Sequence, residues 1–258
     1  MPPLRDLITT AQWLHVILFA AIAGRLWQLG FHRKYSVFFS YLVFSTARSC
    51  SLLTLDVRSS AYFWIWLPTE PIYWVLNILV VRELFTLVLD KHPGIGRLSR
   101  WLFHGGLGAG VALASVSLLM QGSELPGQSI WLSAVVIVTR CVCITVLVFL
   151  LGLVLFLNWY PVSLSSNLVR HCVIFAGYFL CLTLGYLIRT LTGNELAESI
   201  NLVMVGGSMV CASIWLTLSR AGEERRIMLR SVWTGSDERV MLGHLESLNT
   251  HLLRAARK

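Results

Sequence analysis

Long apolar runs separated by short polar links occupy most of the chain. A helix needs about 20 apolar residues to cross the hydrocarbon core of a bilayer. Seven stretches meet that need, near 10–29, 36–55, 68–89, 101–120, 130–157, 171–191 and 200–219. They predict an all-α fold, an integral membrane bundle of seven transmembrane helices over residues 1–219. The fifth stretch is long enough to tilt or to project beyond the bilayer. The third is ambiguous. Its apolar sequence starts at Ala61, but Pro68 and Pro71 interrupt it, so 61–67 either lies at the interface or joins a kinked helix.

After residue 219 the pattern changes. Residues 220–258 are polar and basic, and Gly222 and Thr234–Asp237 are expected to divide them into two short helices. The second carries Leu242, Leu245, Leu248 and Leu252 on one face, too few turns for a coiled coil. Such a tail is expected to lie on an anionic leaflet, to dock on a membrane or cytoplasmic partner or a second copy, or to cover the end of the bundle.

The polar links set the orientation, because Lys and Arg accumulate on the cytoplasmic side. Arg33 and Lys34, then Lys91, Arg97 and Arg100, then Arg170, and finally the tail with eight basic residues fall in alternate connections. The intervening links are poor in Lys and Arg, and two of them carry Glu124, Glu195 and Glu198 instead. The N-terminus is therefore expected outside and the C-terminus in the cytoplasm. A cleaved signal ending near Ala21-Ile-Ala23 is the competing reading. It would leave Arg33 and Lys34 on the outer face, and the weakly basic start does not favour it. Trp13 and Trp131 at outer ends, and Trp27, Trp101 and Trp159 at inner ends, suit the headgroup level.

Composition narrows the environment further. Charged residues make up only 13% and hydrophobic residues 56%, whereas soluble domains carry about 25% charged residues. The net charge of +8 does not point to nucleic acid, because the basic residues flank apolar runs or sit in the tail. The six cysteines lie within or at the edge of apolar stretches, without metal-ligand or redox spacing, and read as free thiols. The histidines form no i, i+4 pair, so no metal, haem or other cofactor is expected.

Small residues recur at four-residue steps: Gly106, Gly110 and Ala114 in the fourth stretch, and Gly177, Cys181 and Gly185 in the sixth. Ser45 and Ser49 do the same in the second. These stripes are expected to pack helices together, within the bundle or in a homo-oligomer.

The candidate chemistry lies in charges that lipid should exclude. Arg48, Glu70, Arg140 and Arg189 fall between the midplane and the outer face when depth is counted at about 1.5 Å per residue. Arg189 continues the stripe of Gly177, Cys181 and Gly185 and is expected to point inward. Glu70 stands between two prolines, among the aromatics Tyr62, Phe63, Trp64, Trp66, Tyr73 and Trp74. The set predicts an outward-facing, aromatic-walled pocket with surplus positive charge. In it Arg48, Arg140 and Arg189, with Trp66, Tyr73 and Trp74, would hold an anionic group, and Glu70 would set the charge balance. The structural alternative is that each Arg bonds carbonyls or pairs with Glu70. Arg25, Arg82 and Glu83 lie near cytoplasmic helix ends and read as snorkelling side chains.

The seven-helix, N-outside plan resembles rhodopsins and G-protein-coupled receptors in topology alone. Residues 200–219 hold no Lys for retinal, and Val81-Arg-Glu-Leu-Phe85 is not a receptor signature. Gly206-Gly-Ser-Met209 and Glu223-Glu224 lack the neighbours that membrane proteases need. The run Tyr35-Ser-Val-Phe-Phe-Ser-Tyr41, followed by the Tyr62–Phe85 stretch and a basic loop, is similar to uncharacterised bacterial seven-helix membrane proteins. That resemblance implies a bacterial inner (plasma) membrane location and no activity. The function expected is a non-catalytic, sensor- or receptor-like bundle that binds a small anionic or amphipathic ligand. The alternatives are a non-catalytic subunit of a larger membrane complex and a small-molecule transporter.

Overall fold

A computed structural model describes residues 2–56, 59–89, 130–159, 163–192, 196–217 and 226–228, with 105, 106, 108, 110, 112, 115, 116, 243 and 247 individually. Six long helices dominate: α1 (Pro2–Gln28), α2 (Ser36–Leu53), α3 (Ser60–Leu89), α4 (Ile130–Trp159), α5 (Ser166–Thr192) and α6 (Ala197–Trp215). All six are long and apolar enough to cross a membrane. The protein is thus a multi-pass helical membrane protein suited to a lipid bilayer. The expected stretch at 101–120 falls mostly outside the described residues, as do the tail's Leu242, Leu245, Leu248 and Leu252.

α1, α3, α5 and α6 all start earlier than the hydropathy suggests, α1 and α3 by the widest margin. α3 runs unbroken from Ser60 through both prolines. A proline removes one backbone donor and crowds the preceding turn. In that stretch the Thr69 hydroxyl donates back to the carbonyls of Ile65 and Trp66, at 2.8 and 2.9 Å.

The helices close into a ring in the order α1, α2, α3, α4, α5, α6 and back to α1, with α3 also touching α5 across it. Just past the end of α1 stands Gly30, whose φ of 72° only glycine adopts at no steric cost, and a short 3-10 turn leads into α2. α2 and α3 are antiparallel: Glu83 meets Val37 and Phe38, and Arg48 meets Glu70. α3 and α4 are parallel neighbours, since Trp74 meets Thr139 and Phe85 meets Phe149. Arg170 at the start of α5 reaches the Thr217 carbonyl just past α6. The ends at Gln28, Leu89 and Trp215 and the starts at Ser36 and Ser166 therefore share one side. That side carries Arg33, Lys34, Arg82 and Arg170.

On this side Arg226–Met228 form a strand, β2, antiparallel to β1 (Ser163–Ser165), with Leu164 opposite Ile227. The early tail was expected to be helical. At these three residues it is extended instead, because the α4–α5 link offers backbone partners.

Aromatic rings fill the centre of the ring of helices. Phe38, Tyr41, Phe175, Phe179 and Trp215 are fully buried, and Phe38, Phe175 and Trp215 pack with centroids 5.0–5.5 Å apart. Among the described residues the core is a plug of interlocking rings.

Candidate functional site

The candidate site grows from one face of α2 and one face of α3. On α2, Phe38, Tyr41, Ser45 and Arg48 follow at three- and four-residue steps, and the first three are buried. On α3, Glu70, Tyr73 and Asn77 do the same, and Glu70 and Asn77 are buried. The two helices run in opposite directions, and their register brings Arg48 to the level of Glu70, where the two side chains meet.

Arg48 pairs with Glu70 through Nη2 and Oε1. Its Nε donates to Thr69 Oγ1 at 3.0 Å, and its guanidinium lies over the Tyr73 ring, 5.2 Å from the centroid. Three different contacts thus hold a cation that is only 14% exposed. Their sum is needed, because neither charge alone would repay its desolvation in lipid.

Tyr73 links this pair to a second structure. Its hydroxyl lies 2.9 Å from that of Tyr41 and 3.1 Å from that of Tyr178, and the last two are 3.3 Å apart. Each hydroxyl can donate once and accept once, so the three close a ring across α2, α3 and α5. Asn77, one turn further along α3, keeps its Oδ1 without a partner among the described residues.

The other expected site residues are distributed around this centre. Tyr62 is within electrostatic range of Arg48 and Glu70. Tyr186 is within range of Glu70 and also of Arg189, three residues further along α5. Arg189 is half-buried and has no hydrogen bond or ion pair among the described residues. Arg140 is half-buried on α4 beside Thr139, which accepts a 2.9 Å bond from Trp74 Nε1. Trp74 therefore fastens α3 to α4, Trp66 is half-buried, and Trp64 faces outward at 69% exposure.

The packing stripes divide in the same way. Gly185 closes on Met204 and Cys181 on Gly207, joining α5 to α6. Gly106 faces Phe149, and Gly110 faces Thr145. Gly177 is exposed, with open space where a Cβ would stand, so among the described residues it packs against no neighbouring helix. Steps of four residues advance about 40° around a helix, and two of them carry the stripe from the α6 contact to the outer surface.

Glu83 was read as a snorkelling side chain. Its carboxylate instead accepts from the amides of Val37 and Phe38, at 2.9 and 3.1 Å, and from the Ser36 hydroxyl at 3.4 Å. It caps the N-terminus of α2 from a neighbouring helix.

A groove of about 480 Å³ on α6 is lined by Gly206, Met209, Val210, Ser213, Ile214 and Thr217, none of them an expected site residue. Among the described residues no cluster of His, Cys, Asp or Glu suits a metal ion. Comparison with protein-family models, curated proteins and solved structures gives no match for this chain.

Proposed function

We propose that the protein is a non-catalytic, sensor- or receptor-like bundle that binds a small anionic or amphipathic ligand in the half of the membrane opposite the basic side. Arg48, Arg140 and Arg189 are the anion-binding groups, and Glu70 is the internal anion that the ligand displaces. The carrying observation is the sharing of Arg48 between Glu70 and Tyr73, with Tyr73 also a member of the hydroxyl ring. A ligand that draws Arg48 away from Glu70 alters the packing of α2, α3 and α5 together. It therefore has different contacts in two states, which a conformational response requires. The pairing of the tail strand with the link just before α5 supports the tail as the output, since α5 carries Tyr178 and Arg189.

The bundle in this reading has seven crossings, with its N-terminus outside, its C-terminus in the cytoplasm, and a bacterial inner membrane as its location. The parallel pairing of α3 and α4 supports the seventh crossing, because the connection between them must return across the bilayer. Gly106 against Phe149 and Gly110 against Thr145 follow the order expected of a segment antiparallel to α4.

The closed Arg48–Glu70 pair favours a second reading, a non-catalytic subunit of a larger membrane complex in which the charges serve only the fold. Native mass spectrometry of protein released gently from its own membrane separates the two. A bound small anion that is lost in Arg48→Gln and Arg140→Gln, with the bundle still folded, supports the sensor. Stoichiometric partner proteins with no small ligand overturn it in favour of the subunit.

A further inference from the structure

The basic end of the α2–α3 hairpin holds a second polar feature, independent of the Arg48 site. A groove of about 260 Å³ is lined there by Val37, Leu79, Arg82, Glu83, Thr86 and Leu87. Its two charges differ in their commitments. Both Glu83 oxygens are engaged by the first turn of α2, where the helix dipole offsets their charge. Arg82 is exposed, and among the described residues its guanidinium has no hydrogen bond or ion pair.

Depth can be read from the same contacts. Glu83 stands level with the start of α2, where polar sequence gives way to apolar, and so at the edge of the hydrocarbon layer. Arg82 is its chain neighbour. Leu79, Val37 and Leu87 continue the groove as an apolar wall. Arg33 and Lys34, both exposed, precede Val37 by about one turn. The groove thus joins an uncommitted cation at headgroup level to a strip of hydrocarbon, within a field of further positive charge.

We propose that this groove is a site for one anionic glycerophospholipid of the leaflet on the basic side. Its phosphate is held by Arg82, and one acyl chain lies along Leu79 and Val37, with Leu87 walling the groove on the headgroup side. A phosphate is the group a guanidinium grips best. The surrounding net positive charge selects a net-anionic headgroup over a zwitterionic one.

The test uses the full chain in detergent, with phosphatidylglycerol and phosphatidylcholine offered in equal amounts and bound lipid counted by native mass spectrometry. Wild-type protein should retain one phosphatidylglycerol in preference, and millimolar inorganic phosphate should not displace it. Arg82→Gln should lower phosphatidylglycerol retention about tenfold, the loss of one charge-assisted bond. Leu87→Trp, which fills the groove, should lower retention of both lipids with the helical circular dichroism unchanged, and it carries the test alone if Arg82→Gln fails to fold. Equal retention of the two lipids by wild type, displacement by free phosphate, or undiminished phosphatidylglycerol retention in a folded Arg82→Gln or Leu87→Trp would each overturn the proposal.

Discussion

Glu83 and Val37 lie 46 residues apart, yet a 2.9 Å bond from the Val37 amide to the Glu83 carboxylate ties the last turns of α3 to the first turn of α2. The first amides of a helix have no partner within it. In a membrane bundle they cannot all reach water, and here a borrowed carboxylate takes two of them. Glu83→Ala should therefore cost about 1–3 kcal/mol, the penalty for stranding partly buried donors. Glu83→Gln keeps one acceptor oxygen and should cost less. Thermal unfolding in detergent, followed by circular dichroism, checks the order of the two variants. Equal stability of all three proteins would show that the cap contributes nothing.

Arg48 and Glu70 make a sharper prediction. Removing one member leaves the other charged and without its partner, so Arg48→Met and Glu70→Leu should each cost about 3–5 kcal/mol. The double variant, with both charges gone, should recover most of that loss. The quantity to measure is the coupling energy from a double-mutant cycle of detergent-induced unfolding. Strictly additive costs would mean that the pair does not stabilise the fold as a unit.

The hydroxyl ring can be dissected without disturbing the cation. Tyr73→Phe keeps the ring face under Arg48 but removes the hydroxyl that lies close to both others. Tyr41 and Tyr178 would be left with their longer 3.3 Å contact. The expected loss is about 1 kcal/mol, one net hydrogen bond. Tyr73→Leu removes the face as well and should cost clearly more. If both substitutions cost the same, the Arg48–Tyr73 stacking has no weight.

Much of this architecture was legible in the chain. The six spans follow from runs of apolar residues, because lipid imposes that pattern on any helix that crosses it. Boundaries were less legible where proline interrupts. Pro68 and Pro71 argued for a later start to α3, yet the helix runs through both. The β1–β2 pair could not be read at all, because three residues near 164 acquire partners near 227 only once the helices are placed. In the site, Arg48, Glu70 and Tyr73 stood out by charge and setting. Tyr41, Thr69, Tyr178 and Tyr186 did not, since tyrosine and threonine are ordinary in membrane helices. A signal for Tyr41 was present nonetheless, as it lies seven residues before Arg48 on the same face of α2.

The stripe on α5 illustrates a different limit, and substitution can test it. Four-residue spacing was read as one continuous packing face, but the face rotates. A Cβ on Gly207 would run into the Cys181 sulfur, and one on Gly185 would stand 2.5 Å from Met204 Cγ and Sδ. Gly207→Ala and Gly185→Ala should therefore destabilise by about 1–3 kcal/mol, the range for overpacking. Gly185→Ala should be the milder where Met204 can swing aside. Gly177→Ala meets open space and should be neutral or slightly stabilising, since alanine favours helix by about 1 kcal/mol. Unfolding midpoints for the three variants decide it. A loss at Gly177 comparable to that at Gly207 would restore the continuous stripe.

His171 carries the last prediction. It is buried at 2% exposure, its ring 4.3 Å from that of Phe38 and 5.2 Å from that of Phe175, and its Nε2 has no partner among the described residues. Trp215, whose ring lies 5.9 Å away, holds its Nε1 unpartnered as well. An unsatisfied buried acceptor costs free energy, and an apolar side chain of similar shape removes that cost. Two arrangements are then distinguishable. If the two nitrogens face packed hydrocarbon, His171→Phe extends the aromatic plug and the unfolding midpoint should stay level or rise. If a water bridges them, donating to Nε2 and accepting from Nε1, the same substitution strands the tryptophan N–H and should lower stability by about 1–3 kcal/mol. The tight ring-to-ring packing around His171 favours the first outcome, and pairing His171→Phe with Trp215→Phe tests it. In the packed case the double variant gains nothing beyond the sum of its parts. In the bridged case it recovers much of what His171→Phe alone loses.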